Sequence, residues 1–311
     1  MKDYAFGVDL GGTTVKMGLF TTAGALLETW EIPTRTEDGG SLILGDIAAS
    51  IKDKMAEKEI SDDNVEGVGI GVPGPIDEEG NVLKCVNLGW GEFNVEKVLG
   101  GLTGMKVKAG NDANVAALGE MWQGGGKGYK DLVMVTLGTG VGGGIILGEK
   151  ILPGTNGAAG EIGHIPMIDD EEECCGCGKK GCLEQYASAN GIARMGKKYI
   201  AAHPDEATAL SAAPSSKDIW DEFKKDDAVA IKIVDEWAKI LGKGLASIAC
   251  VVNPQAFVIG GGMSKAGQCV IEKIQTNYKP YAFHAARETD FKLATLGNNA
   301  GIYGSVKMVL D

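Results

Sequence analysis

The sequence predicts an α/β fold with two related halves, and three observations carry that expectation. Two segments repeat a strand, glycine turn, strand pattern, Tyr4 to Phe20 and Leu132 to Gly148. Short β-branched runs alternate with stretches whose apolar residues fall at helical spacing. Glycine supplies 48 of 311 residues, more than twice the ~7% norm, and it clusters between apolar strands instead of forming low-complexity linkers. Glycine-bounded hairpins also recur without duplication, so the repeat has two readings at this point.

In chain order, Tyr4 to Phe20 reads as the strand AFGVDL, the turn Gly11-Gly12-Thr13-Thr14 and the strand VKMGLF, a hairpin rather than a βα unit. Leu42, Ile43, Ile47, Ile51 and Met55 fall at helical spacing between Ser41 and Ile60, and VEGVGIGVPGPID then supplies a buried strand ending in a proline-rich loop. Strand, strand, helix, strand is the expected opening of an α/β domain. KVKAG reads as a strand that ends at Asn111 and Asp112, before an Ala-rich helix. LVMVTL, the loop Gly138-Thr139-Gly140 and VGGGIILG form the second hairpin. Val229, Ile233, Val234, Trp237, Leu241 and Ile248 mark a long helix, followed by a strand from Ala256 to Ile259 and by Gly260-Gly261-Gly262; AGIYGSVKMVL reads as a final helix.

Composition excludes several classes of function. Hydrophobic residues make up 44% and charged residues 23%, and no apolar run approaches the ~20 residues that cross a bilayer. The start, MKDYAFGVDL, runs from a short apolar stretch into glycines without the long apolar region of a secretory signal, so a cytoplasmic protein is expected. A net charge of −12 opposes attraction to DNA or RNA. It also means that a bound phosphate must be held by local backbone N–H groups and a metal ion. Cys85, Cys250 and Cys269 stand alone, where buried reduced thiols are the common case. Cys174, Cys175, Cys177 and Cys182 fall within nine residues, and in a reducing compartment such a cluster points to a metal rather than disulfides.

Gly69, Gly71 and Gly74, and again Gly138, Gly140 and Gly143, match the dinucleotide pattern GxGxxG. That motif needs a helix after the loop, whereas Gly138 leads into an apolar strand and Gly74 into Pro75, so a dehydrogenase is disfavoured. Gly126-Lys127 is followed by glycine and lacks the Ser/Thr of a Walker loop. Phosphate, if bound, sits in hairpin turns, where glycine permits close backbone approach and Thr13, Thr14 and Thr139 add hydroxyl donors. Asp9 is placed to hold magnesium through water. Each loop is equally readable as a tight turn.

Asp112 is the candidate general base, because phosphoryl transfer to an alcohol needs a positioned group that accepts the hydroxyl proton. Its competing role is a helix N-cap. EIGHIPM followed by CCGCGKKGCLEQYAS brings His164 together with thiolates at the spacing of a closed tetrahedral zinc set. Such a site is structural, fixing the loop that carries Glu161 and Glu184. His164 has a second ring nitrogen to offer outward, and the two carboxylates are candidates to accept sugar hydroxyls. Solvated surface glutamates are the alternative.

Through GVDLGGTTVK, GVPGPID, NDANVAALGE, LGTGVGGGI, EIGHIPM and CGCGKKGCLE the chain resembles the ROK family of bacterial sugar kinases and sugar-responsive repressors over nearly its whole length. The resemblance implies an actin-like ATPase fold of two ribonuclease-H-like domains with a zinc-stabilised loop, ATP and magnesium as cofactors, and a homodimer. It implies Asp112 as catalytic aspartate, Asn111 as its sugar-binding neighbour, and Glu161, His164 and Glu184 as ligands of the sugar hydroxyls. Cys175, Cys177 and Cys182 match the zinc cysteines, with His164 as fourth ligand; Cys174 departs from the pattern. Gly11, Gly12, Thr13 and Thr14 match one phosphate motif, Gly138, Thr139, Gly140 and Gly142 the other, and IGGGMSKAG, with Gly261 and Gly262, the adenosine motif. VNLGW is similar to the NLGW of members that phosphorylate glucose, which implies glucose as substrate and Asn87 as a further sugar contact. N-acetylmannosamine, mannose and fructose are the other hexoses to weigh. A sugar-sensing repressor is the rival class; it would carry an N-terminal helix-turn-helix, whereas here the first strand begins within the first few residues. The expected division is a small α/β domain over 1–115, rejoined by the helix at about 299–311, and a larger domain over 116–298 with the zinc loop at 164–184.

Overall fold

The computed structural model describes residues 2–83 and 85–311. The first part of the chain forms β1 (Tyr4–Leu10), β2 (Thr14–Thr21), β3 (Leu26–Pro33), the short α1 (Glu37–Gly40), α2 (Ile43–Glu57), β4 (Val65–Val72), β5 (Asn81–Val82), β6 (Phe93–Asn94), α3 (Val95–Thr103), β7 (Val107–Asn111) and α4 (Asp112–Gln123). The remainder forms β8 (Leu132–Leu137), β9 (Val141–Leu147), β10 (Lys150–Ile151), α5 (Glu184–Ala187), α6 (Ala189–Ala202), α7 (Ser216–Phe223), α8 (Ala228–Val252), β11 (Ala256–Gly260), α9 (Gln268–Tyr278), β12 (Asp290–Leu293) and α10 (Ala300–Leu310).

Two five-stranded sheets result, ordered β3-β2-β1-β4-β7 and β10-β9-β8-β11-β12. In the first, β1 pairs antiparallel with β2 and parallel with β4, which pairs parallel with β7. In the second, β11 is parallel to both β8 and β12. Each sheet therefore joins a hairpin to strands reached by helical crossovers, a mixed architecture in which the central parallel strands are buried. β3 is an addition to the expected order. Its LLETWEIP alternates half-buried and exposed positions at an edge, so it lacks the continuous apolar signal of β1 or β4.

The described chain divides into two compact units, one of Met1–Lys130, Gly144–Gly160 and Leu296–Asp311, the other of Asp131–Gly143 and Glu161–Thr295. This corrects the expected break at 115/116, which falls inside α4. That helix continues to Gln123, and its glycine-bearing face packs so tightly on α10 that a Cβ on Gly119 would fall 2.2 Å from Ala300 O. Cutting there would expose a helix–helix seam.

In the first unit, Phe6, Val8, Met17, Ile47, Ile51, Val68 and Ile70 form a core between the sheet and α2. Phe20, Ile302, Val306 and Val309 build the layer beneath α10. Fully buried Glu120 accepts the Gly125 and Leu296 N–H groups at 2.8 Å each, tying the end of α4 to the returning C-terminal segment. In the second unit, α8 buries Trp237, whose Nε1–H donates to Ala187 O at 2.9 Å. Of the solitary thiols only Cys85 is buried. Cys269 is half-buried and Cys250 exposed, because Cys250 lies on the solvent side of α8.

Candidate active site

In the first unit, the parallel strands deliver their C-terminal ends to one edge of the sheet, where ligands of α/β folds gather. Asp112 begins α4 directly after β7. The N-cap, however, is Asn111: its Oδ1 accepts the Ala113 and Asn114 N–H groups at 3.1 and 3.2 Å. Its Nδ2 donates to Gly74 O at 3.1 Å and to Asp112 Oδ1 at 3.0 Å. The N-cap position weighed for Asp112 is thus held by its neighbour, although Asp112 Oδ1 also accepts the Ala113 N–H, at 2.8 Å, and Asn111 orients the Asp112 carboxylate.

Asp9 lies one residue before the end of β1. Burial first, and then the nearby charge of Asp112, push its carboxyl up to about 6, against the pull of Lys16. The first turn of α10 passes very close: a Cβ on Gly301 would fall 2.5 Å from Asp9 Oδ2, so glycine is required there. A carboxylate so confined beside another carboxylate favours a cation.

The turn after β1 is closed by the Gly11 N–H donating to Thr14 O at 3.0 Å and buttressed by Thr34, whose hydroxyl donates to Gly11 O at 2.7 Å. Gly12, Thr13 and Thr14 are exposed at its tip. Asn87 is exposed on a single 3-10 turn, Val86–Leu88, held by paired backbone hydrogen bonds between Cys85 and Trp90. Trp90 Nε1–H donates to Gly40 O at 3.1 Å, an anchor that sequence reasoning did not find.

In the second unit, His164 and the thiols of Cys175, Cys177 and Cys182 converge, with one donor atom from each within 4.8 Å of every other. Cys175 Sγ stands 3.7 Å from His164 Nδ1, and the Cys177 and Cys182 sulfurs are 3.6 Å apart. Ligand atoms around tetrahedral zinc are separated by about 3.5–3.8 Å, so the donor set fits that ion. Cys174 is exposed and outside the set. The tight turn is made by the Cys175 N–H on Lys179 O and the Gly178 N–H on Cys175 O.

His164 Nε2 faces the other way, 3.8 Å from Oε2 of exposed Glu161. Glu184 begins α5, and its Oε2 accepts the Val141 N–H at 3.0 Å. Behind the cluster, Glu171 is held down to about 2, chiefly by Arg194 with help from the Tyr186 hydroxyl. Its side chain is covered although it lies within the acidic run DDEEE, and no local signal marks it as buried.

The turn after β8 has the Gly138 N–H on Gly140 O at 3.0 Å, with Thr139 exposed. Gly142 lies beyond it in β9, where a Cβ would make only ordinary contact with Thr136. Gly261 (φ 82°) and Gly262 open a 3-10 turn at the end of β11. Among the described residues, Asp9, the Gly11–Thr14 turn, Asn87, Asn111 and Asp112 therefore belong to one unit, and all the other predicted site residues to the other.

The chain is 44% identical over 304 residues to a glucokinase of Halalkalibacterium halodurans, spanning 96% of this chain and 92% of that protein. A ROK family glucokinase from Streptomyces griseus, solved with glucose and AMPPNP, is 34% identical and superposes with a TM-score of 0.73 over 98% of both chains. A ROK hexokinase from Thermus thermophilus, 30% identical, gives a TM-score of 0.79 over 97% of this chain and 96% of that one. The ROK family pattern matches residues 5–311, and the chain belongs to the ROK family, with an α/β actin-like sugar kinase fold.

Proposed function

We propose that this protein transfers the terminal phosphoryl group of ATP to glucose, forming glucose 6-phosphate and ADP. The observation that carries the reading is the likeness, over nearly the full length of both chains, to a ROK glucokinase solved with glucose and AMPPNP. The 44% identity to a second glucokinase supports the same substrate.

Asp112 takes the proton of the sugar hydroxyl as its oxygen attacks the γ-phosphorus and ADP leaves. Asn111 holds that carboxylate through Nδ2 and is a sugar contact. Glu161, His164, Glu184 and Asn87 bond the remaining hydroxyls, which a charged acceptor does at roughly 1.5–3 kcal/mol per bond. The Gly11–Thr14 turn and the Gly138–Gly142 segment take the phosphates, while Gly261 and Gly262 face the adenosine. Asp9 would hold Mg²⁺ through water, and the ion would there supply positive charge against that developing on the phosphates. His164, Cys175, Cys177 and Cys182 would hold a structural Zn²⁺, since four protein donors leave no open position. It leaves the His164 Nε2–H free to bond a sugar oxygen.

A homodimer and a cytoplasmic location complete the proposal; both rest on the family resemblance and on a thiol cluster suited to a reducing compartment. Among the described residues no helix is long and apolar enough to cross a membrane.

The test is ADP release with ATP and magnesium against glucose, mannose, fructose, N-acetylglucosamine and N-acetylmannosamine. The expected result is a clear preference for glucose. Preference for another hexose would discard the inference from VNLGW and keep the phosphoryl-transfer chemistry; no turnover with any sugar would overturn the kinase reading.

A further inference from the structure

Glu184 spends its two carboxylate oxygens in different directions. Oε2 accepts the Val141 N–H at 3.0 Å, at the exit of the β8–β9 turn, and Oε1 lies 3.7 Å from Cys175 Sγ. The approach to the turn is close, because a Cβ on Gly140 would fall 2.1 Å from Oε2. An anion therefore already occupies the backbone donor of this glycine turn, the feature that suits such a turn to phosphate. A phosphate oxygen and a carboxylate oxygen cannot share that N–H at hydrogen-bond distance, since two like charges at such separation repel strongly in a partly buried site.

The backbone of Glu184 is fixed. The Leu183 N–H donates to Ile165 O at 2.8 Å, and Cys182, two residues before Glu184, belongs to the four-donor cluster. The side chain has space, however. It lines a cavity of about 210 Å³ together with Thr139, Ser188 and Arg194. A carboxylate on a rigid base, beside open volume and hydrogen-bonded to a single backbone N–H of the turn, can exchange that N–H for another donor.

We infer that Glu184 is a positioning residue that makes nucleotide binding depend on sugar. Without sugar its carboxylate holds the Val141 N–H and excludes phosphate from the β8–β9 turn. A sugar hydroxyl that draws the carboxylate away releases the turn. The inference rests on the proposed role of Glu184 as a sugar contact. Because coupling between two binding sites is reciprocal, nucleotide tightens sugar by the same factor as sugar tightens nucleotide. It also keeps ATP out of a reactive pose until an acceptor is present.

Calorimetric titration of magnesium–AMPPNP into the wild-type protein, Glu184→Gln and Glu184→Ala, each with and without saturating glucose, tests it. The wild type is expected to bind AMPPNP roughly tenfold more tightly with glucose, within the usual range of coupling between sites. Glu184→Ala should bind it without glucose at least fivefold more tightly than the wild type does, and should lose most of the glucose dependence. Glu184→Gln, isosteric and uncharged, should fall between them, and it decides the matter if the alanine variant does not fold. Sugar-free affinity that is unchanged or weakened in the folded variants would overturn the inference. Glucose affinity measured without nucleotide separates the two layers: an unchanged value in Glu184→Ala removes Glu184 from the sugar site, whereas tighter AMPPNP binding in the same variant still identifies the carboxylate as the occupant of the turn.

Discussion

The first hairpin, β1 to β2, and the second, β8 to β9, occupy the same place in sheets of the same strand order, yet their turns are in different states. The segments align as Asp9-Leu10-Gly11-Gly12-Thr13-Thr14 and Thr136-Leu137-Gly138-Thr139-Gly140-Val141. In the first, the carboxylate comes from the strand itself, and Gly12 to Thr14 stand exposed. In the second, the equivalent strand position is the neutral Thr136, and the carboxylate arrives from Glu184 to seize the Val141 N–H. The duplicated scaffold thus separates two tasks. One turn keeps a permanent acid suited to a metal ion, and the other carries an acid that can be withdrawn.

The largest effect expected from breaking this comparison comes from Asp9. Its carboxyl is raised to about 6 from an ordinary 3.8. A raised carboxyl contributes stability below its unfolded value, and that contribution is lost as pH rises through the folded one. Metal-free wild type should therefore lose about 2 kcal/mol relative to Asp9→Asn between pH 4 and pH 7. Urea unfolding of both proteins across that range checks it; a constant difference would show that the Asp9 carboxyl is not raised. Added Mg²⁺ should recover part of the loss in the wild type only.

Removal of zinc should act on the second unit alone. Chelation is expected to weaken glucose binding, because the loop that carries His164 and Glu184 loses its anchor, and to weaken AMPPNP binding less. Metal analysis of protein purified without chelator should find one zinc per chain; none would mean that the four-donor cluster serves another purpose.

The smallest effect is expected at Gly142, where a Cβ fits. Gly142→Ala should change stability by less than about 0.5 kcal/mol. Thermal unfolding tests that, and AMPPNP titration of the same variant tells whether phosphate approaches so far into β9. Lost affinity with retained stability marks a contact, and retained affinity restricts the phosphate to Gly138–Gly140.

Local pattern made much of this fold readable in advance. Both hairpins, α8 and α10 follow from apolar periodicity and glycine punctuation, because their faces are uniformly buried. β3 escaped because an edge strand with one half-covered face mixes polar and charged residues such as Glu28, Thr29 and Glu31 among its apolar ones. The division at 115/116 failed because α4 is held by α10, nearly two hundred residues away, and no local signal records that packing.

The site shows the same boundary. The convergence of His164 with Cys175, Cys177 and Cys182 could be read from spacing, since the three cysteines lie within eight residues. The assignment of the N-cap to Asn111 rather than Asp112 depends on which side chain reaches the Asn114 N–H, since both accept that of Ala113, and spacing does not decide it. The Glu184–Val141 contact spans 43 residues and Glu171–Arg194 spans 23, and both depend on tertiary placement.

The measurement that bears most directly on the account is a comparison of glucose affinity and turnover in the wild type and Asp112→Asn. Glucose affinity should stay within a few-fold, while turnover with ATP and magnesium should fall about 10²- to 10⁴-fold, the contribution of a positioned base. Turnover near the wild-type level would remove Asp112 as the proton acceptor and contradict the assignment of chemistry to the start of α4.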